Sequence, residues 1–150
     1  MATPQLPTQL DIAKDLTFAL YSAANRMIRL HTPLLEPLGL TFPQYLVLVE
    51  LTAQSPRSVG ELGTKLGMEP GTITPLLKRL EASGFVTRTR DRTDERRVLI
   101  DLTDSAKSLR RDLWAVSDQI KTACQLNEDQ LSELRQTLEA LAWPAADAQP

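Results

Sequence analysis

A mainly α-helical chain carrying one small β-hairpin is the fold class this sequence predicts, and three observations predict it. Apolar residues recur at steps of three and four through three long runs lying towards the two ends. In the middle, two hydroxyl-x-x-Glu/Gln boxes, Thr41-Phe42-Pro43-Gln44 and Ser58-Val59-Gly60-Glu61, mark helix starts. Between residues 85 and 102 the pattern changes to strand-like alternation on either side of a wholly polar centre. With 150 residues, 42% of them hydrophobic, the chain has material for one ordinary domain and its core.

The first run is Ile12, Leu16, Leu20, Ala23, Met27, Leu30 and Leu34, with Pro33 inside it predicting a kink or an early stop. Residues 1–9 are polar, hold two prolines and read as a loose tail, as do residues 144–150. The central boxes open helices at about residues 43–52 and 59–66, and Gly67 supplies the left-handed residue that ends the second. Pro70 starts a third helix, where a missing N–H costs nothing. Its inward stripe is Ile73, Leu76, Leu77 and Leu80, and Ser83-Gly84 closes it. Two helices joined by the turn Gly67-Met68-Glu69 form a helix-turn-helix.

Residues 85–90 and 97–102 read as strands, Val98, Ile100 and Leu102 sharing a face, with six polar residues at 91–96 between them. A hairpin placed directly after a helix-turn-helix is a wing. Residues 41–102 are therefore expected to form a winged helix-turn-helix, set between helices at 10–40 and 103–143. The second helical run is Ala106, Leu109, Leu113, Val116, Ile120 and Ala123, capped by Thr103. The third is Leu131, Leu134, Leu138 and Leu141, with Asn127 as cap, Glu128 and Asp129 in the first turn and Pro144 beyond its end. Long amphipathic helices at both ends need a surface for their stripes, either the core or a second copy, and flanking a compact middle they favour a homodimer.

Composition excludes several chemistries. One cysteine and one histidine leave no disulfide framework, no cysteine-only metal cage and no His-rich zinc site. Neither a glycine-rich phosphate loop nor a spaced nucleophile motif is present, so no enzyme, metal or cofactor is expected. The longest unbroken apolar stretch is residues 45–49, far short of a membrane span. The start Met1-Ala2-Thr3-Pro4 lacks the basic and apolar regions of a leader, which makes the cytoplasm the expected compartment.

A net charge of −2 argues against nucleic acid until the charge is resolved by region. Residues 57–97 carry nine basic and six acidic side chains, a balance of +3, while the remainder is acidic. A helix-turn-helix sets its second helix in the major groove of double-stranded DNA, N-terminal residues first. That end offers Gly71, Thr72, Thr74 and Pro75, small or hydroxyl-bearing groups that permit close approach, followed by Lys78 and Arg79, which suit phosphates. The wing adds Arg88, Arg90, Arg92, Arg96 and Arg97, and an arginine at a hairpin tip suits a narrow minor groove. Asp94 is placed to orient Arg96 by pairing with it.

The runs Gly60-Glu61-Leu62-Gly63, Gly71-Thr-Ile-Thr-Pro-Leu-Leu-Lys-Arg-Leu-Glu81, Val86-Thr-Arg-Thr-Arg90 and Asp94-Glu95-Arg96 resemble the MarR family of winged-helix regulators. Phe18-Ala-Leu-Tyr-Ser22 and Leu40-Thr-Phe-Pro-Gln-Tyr-Leu46 resemble its OhrR-type organic-hydroperoxide sensors, and the likeness spans about residues 10–141. The resemblance implies a homodimer assembled from the first and last helices that represses a promoter by binding a pseudo-palindrome. It also implies that Thr72, Thr74 and Pro75 face the major groove, and that Arg96, held by Asp94, enters the minor groove.

The resemblance breaks at two places. Glu69-Pro70 stands where these sensors usually have an Asp-Ser pair. Their peroxide-reactive cysteine is replaced within Leu16-Thr17-Phe18, and the two tyrosines that bind its thiolate fall at His31 and Phe42. A threonine hydroxyl cannot enter the sulfenic-acid ladder. Two routes for a signal remain. The former redox site, Thr17, Phe18, Tyr21, His31, Phe42 and Tyr45, is an apolar cleft for a small-molecule effector. There His31 meets an acidic or phenolic ligand, or else it is a surface residue at the end of the first helix. The alternative is redox control at Cys124, where some family members carry a second, resolving cysteine. A non-DNA-binding adaptor is the third reading.

Overall fold

The computed structural model describes residues 11–142; the loose tails expected from sequence at residues 1–9 and 144–150, Pro144 included, lie outside the described residues. Helix α1 spans Leu16–Leu35. It starts one turn later than the first apolar residue, because Asp15 accepts the Phe18 N–H at 2.7 Å and caps it there. Ile12–Lys14 form a short 3₁₀ turn instead. The helix continues only two residues beyond Pro33 and gives way to a second 3₁₀ turn, Glu36–Leu38.

Helices α2 (Phe42–Ala53) and α3 (Val59–Leu66) begin at the two predicted boxes. At the first, Gln44 N–H donates to Thr41 Oγ1 at 3.4 Å and Thr41 N–H donates to Gln44 Oε1 at 3.0 Å. At the second, Glu61 N–H donates to Ser58 Oγ at 3.1 Å and Ser58 N–H to Glu61 Oε2 at 2.9 Å. Gly67, at φ 64°, ends α3. Helix α4 (Pro70–Ala82) follows and buries Ile73, Leu76, Leu77 and Leu80.

The sheet has a strand that periodicity does not reveal. Besides β2 (Val86–Arg90) and β3 (Val98–Leu102), the two residues Arg57–Ser58 form β1 and pair antiparallel with Ile100 and Leu99. Two residues are too short for an alternation to show. The order is β1-β3-β2, which ties the entrance of α3 to the wing. In the hairpin Val86 faces Leu102, Arg88 faces Ile100 and Arg90 faces Val98.

The single helix expected from residue 103 is broken in two. Thr103 Oγ1 caps a one-turn α5 (Asp104–Lys107) by accepting the Ala106 N–H at 3.2 Å. A tightened turn follows, with Leu109 N–H bonding the Ala106 carbonyl only three residues back, and α6 (Arg110–Ala123) begins. A stripe at helical spacing runs through such a turn unchanged, so the break left no trace in it. Helix α7 (Glu128–Ala142) opens with a reciprocal cap between Asn127 and Gln130, at 2.8 and 3.0 Å.

The chain divides within α6 into one unit through Val116 and another from Ser117. The first is built on a core in which Leu48, Leu62, Leu77, Leu80 and Ile100 are fully buried, joining α2, α3, α4 and β3. Each such side chain contributes roughly 1.5–3 kcal/mol of transfer free energy. This core fixes α4 and the hairpin with respect to each other. Among the described residues no single helix is long and apolar enough to cross a membrane; α1 with α2 passes only as a bent pair, and α2 turns Val47, Leu48 and Leu51 into the core.

Candidate nucleic-acid interface

Helix α4 has 13 residues and is about 20 Å long at 1.5 Å per residue. Opposite its buried stripe, Gly71, Thr72, Pro75, Lys78 and Arg79 are exposed, and Thr74 is half-buried at the edge of that row. Proline inside a helix removes one hydrogen bond, here the one to the carbonyl of Gly71. Both residues lie on the exposed side of the helix. A Cβ at Gly71 would meet nothing within 4 Å, so packing does not require the glycine. At the start of α4, Glu69 makes no side-chain cap.

The wing arginines do not share one role. Arg88 lies on the inner face of β2 and turns to Glu81 of α4 at 3.7 Å; its Nε is buried with no hydrogen-bond partner among the described residues. Its side chain is 22% exposed, far less than that of Arg96. Arg90 donates to the Glu95 carbonyl at 2.9 Å and closes the loop from within. Arg97 lies 3.1 Å from Glu61 and 3.8 Å from Asp91. Arg96, by contrast, is 92% exposed at the tip, its Nε 3.3 Å from Asp94 Oδ1. The same carboxylate oxygen accepts the Arg96 N–H at 3.1 Å, fixing the turn below the side chain.

The acids of the wing therefore build the loop. Asp91 Oδ1 accepts the Thr93 hydroxyl at 2.7 Å and the Thr93 N–H at 2.9 Å. The Thr93 hydroxyl, then its N–H, then Arg97 hold the Asp91 carboxyl below its ordinary value, against a desolvation effect acting the other way. The Ser58 N–H and, less strongly, Arg97 hold Glu61 below its ordinary value, again against desolvation. Sequence reasoning missed Glu61 and Glu81 as partners of wing arginines, since both come from distant helices. Glu61 was visible only as a cap.

The six residues of the candidate effector cleft fall into two groups. His31 is 8% exposed, which removes the surface alternative. Its ring meets Phe42 edge-on at 4.8 Å between centroids and Tyr45 at 5.5 Å. Nδ1–H donates to the Met27 carbonyl at 2.8 Å, since a carbonyl can only accept, and this leaves Nε2 as the second polar point. Thr17, Phe18 and Tyr21 lie in the first half of α1, with Tyr21 66% exposed. Thr17 and His31 are about 21 Å apart along the helix axis, so one chain does not bring the groups together. Cys124 is half-buried just past α6. The cation beside it, Lys121, lies 3.8 Å from Glu128.

Residues 29–113 match the family described as transcriptional regulator SarA/Rot. The HTH-type transcriptional regulator TtmR of Methylorubrum extorquens strain PA1 is 43% identical over 153 aligned positions, covering 95% of this chain and 77% of that protein. Reduced AbfR bound to DNA has a similar structure, with a TM-score of 0.70 and 31% identity over 87% of this chain and 94% of that one. CouR of Rhodococcus jostii RHA1 bound to p-coumaroyl-CoA gives a TM-score of 0.77 and 27% identity over 91% of this chain and 97% of that one. With a winged helix-turn-helix that carries these likenesses along nearly its whole length, the chain belongs to the SarA/Rot family of MarR-like winged-helix transcriptional regulators.

Proposed function

We propose that this regulator is a cytoplasmic homodimeric repressor that binds a pseudo-palindromic operator through α4 and the wing tip and is released by a small acidic or phenolic molecule. The observation that carries it is the exposed row of α4, where Thr72, Pro75, Lys78 and Arg79 stand opposite the buried stripe. Small and hydroxyl groups permit approach to base edges, and the two cations suit phosphates. Arg96, exposed and oriented by Asp94, is the wing side chain placed for a minor groove.

The dimer is supported by apolar surface. Leu16, Leu20, Met27 and Leu30 of α1 are 38–60% exposed, and Leu134, Leu138 and Leu141 of α7 are 39–47% exposed. Faces of this kind mark contact surfaces, and a second copy is the partner that a two-fold operator requires. A second copy also supplies what one chain lacks at the effector cleft. Antiparallel pairing of two α1 helices would carry Thr17, Phe18 and Tyr21 of one protomer towards His31, Phe42 and Tyr45 of its partner.

The deciding experiment is fluorescence anisotropy on duplexes taken from the DNA flanking its own gene, titrated with salt. Binding that weakens linearly on a log–log salt plot is expected. No binding at any salt would make the protein an adaptor. A panel of aromatic acids and their coenzyme A thioesters, p-coumaroyl-CoA among them, then tests release. Organic hydroperoxide is expected to leave the complex intact, because position 17 has no thiol. Release that disappears on Cys124→Ser would instead establish redox control at Cys124.

A further inference from the structure

Glu61 uses both carboxylate oxygens, for different purposes. Oε2 accepts the Ser58 N–H at 2.9 Å and completes the cap of α3. Oε1 accepts from Arg97 Nη2 at 3.1 Å, a contact between residues 36 positions apart. The other end of the same guanidinium, Nη1, lies 3.8 Å from Asp91 Oδ2. Asp91 begins the wing loop and Arg97 ends it, joined by the Asp91 N–H to the Arg97 carbonyl at 2.9 Å. One guanidinium thus gathers the first helix of the helix-turn-helix and both ends of the loop that carries Arg96.

We propose that Glu61 and Arg97 are positioning residues for DNA recognition, setting the wing against α3 so that Arg96 is presented in register with α4. The inference rests on the DNA-binding reading given above. The competing role for Arg97 is a direct phosphate contact. It borders a groove of about 670 Å³ between α3 and the wing base, with Arg57 and Lys65 also on its wall. Two carboxylates already flank its guanidinium, however, so a phosphate would have to displace them, whereas Arg96 has one acid and is 92% exposed. The pair is itself half-exposed and contributes little to folding stability. Its consequence lies in where the wing points.

Glu61→Gln separates the two functions. The amide oxygen still accepts the Ser58 N–H, because Gln serves in this box as well as Glu, but the charge facing Arg97 is gone. The expected result is an unchanged melting temperature, faster amide hydrogen exchange confined to peptides covering residues 86–102, and unchanged exchange in α3 and α4. On a footprinted duplex from the DNA flanking the protein's own gene, affinity falls about threefold or more. The slope of log affinity against log salt stays the same, and Arg96→Ala costs less than half as much, on a log scale, as it does in the wild type. Arg97→Ala gives the same pattern and serves if Glu61→Gln alters folding. Three results overturn the proposal. One is tighter binding by Glu61→Gln with a salt slope steeper by about one, which marks a freed phosphate contact. The second is Glu61→Gln and Arg96→Ala effects that multiply independently. The third is unchanged exchange across the wing. If the wild type binds no duplex at any salt, the operator reading fails, and the exchange measurement alone still decides whether the pair holds the wing.

Discussion

Gly63 and Met68 close the helix-turn-helix directly upon each other. Met68 N–H donates to the Gly63 carbonyl at 2.8 Å, and a Cβ on residue 63 would lie 2.9 Å from the Met68 carbonyl oxygen. That oxygen belongs to the backbone and cannot rotate aside as a side chain would. The same Cβ would lie 3.6 Å from Ile73 Cγ2, at the head of the buried stripe of α4. Gly63→Ala should therefore destabilise by about 1–3 kcal/mol, the ordinary cost of overpacking. Urea denaturation of wild type and variant at pH 7 checks this, and coincident curves would show that the turn can yield.

Helix α4 starts without the cap that the preceding two helices have. Glu69 occupies the N-cap position with φ −71° and ψ 159°, and makes no side-chain bond to the first turn. A side chain one methylene shorter reaches the amide of Thr72. Glu69→Asp keeps the charge and adds the cap, so it should stabilise by about 1 kcal/mol. The midpoint of urea denaturation should rise with an unchanged slope. A lower midpoint would mean that the longer carboxylate serves the fold in a way the geometry does not show.

Sequence made the local parts of this fold legible and hid the long-range ones. Thr41 with Gln44, Ser58 with Glu61, and Gly67 announce α2 and α3 because each cap is closed within four residues, and Pro70 announces α4 through its fixed backbone angle at the first helical position. The wing arginines were equally visible as a cluster. Their division of labour was not, because Glu81 and Glu61 reach them from other helices, and only the folded chain brings those groups within 4 Å. Strand β1 escaped for a similar reason, since Arg57–Ser58 is a strand only by virtue of its partner β3. The candidate cleft was legible as a composition, Thr17 to Tyr45. The helix that holds its first four members also sets Thr17 and His31 about 21 Å apart.

The carboxyls of Glu61 and Asp91 should titrate below their ordinary values, 4.5 and 3.8, because the Ser58 N–H and then Arg97 favour the charged form of Glu61, and Thr93 and then Arg97 that of Asp91. A depressed folded value contributes stability that is fully present above the unfolded value and lost as pH falls through the folded one. Near neutrality both carboxylates are thus charged, and the bonds they accept weaken as the pH falls through their folded values. The amide proton shifts of Ser58 and Thr93, which donate to these two carboxylates, report the titration by NMR. Midpoints at or above 4.5 and 3.8 would contradict the bonding described.

A charge on the apolar face of α1 should separate the protomers without unfolding either. Leu30 is 46% exposed within one chain, so Leu30→Glu leaves the core untouched. Buried between two copies, the same side chain would contribute roughly 1.5–3 kcal/mol, and a carboxylate there adds a desolvation cost. Dimer dissociation should increase at least tenfold, read by sedimentation velocity, with helical circular dichroism unchanged. Operator affinity should fall in parallel, since two half-sites about 34 Å apart need two α4 helices. A variant that stays dimeric would move the interface elsewhere.

Arg96 and Lys78 should fail in different ways when removed. Arg96 is held by Asp94 through its own N–H at 3.1 Å and its Nε at 3.3 Å, while the rest of its head group stays exposed. A side chain held in this way can read groove width, and Arg96→Ala should cost about 1–3 kcal/mol on a duplex with A·T-rich flanks and less on G·C-rich ones. Lys78 stands exposed on α4 and suits a phosphate. Lys78→Ala should weaken binding by a similar factor on every duplex and reduce the salt slope by about one. Asp94→Ala should reproduce part of the Arg96→Ala loss, although aspartate repels DNA, because it releases the arginine. Tighter binding by Asp94→Ala would show that its charge opposes DNA more than its hydrogen bonds organise the tip.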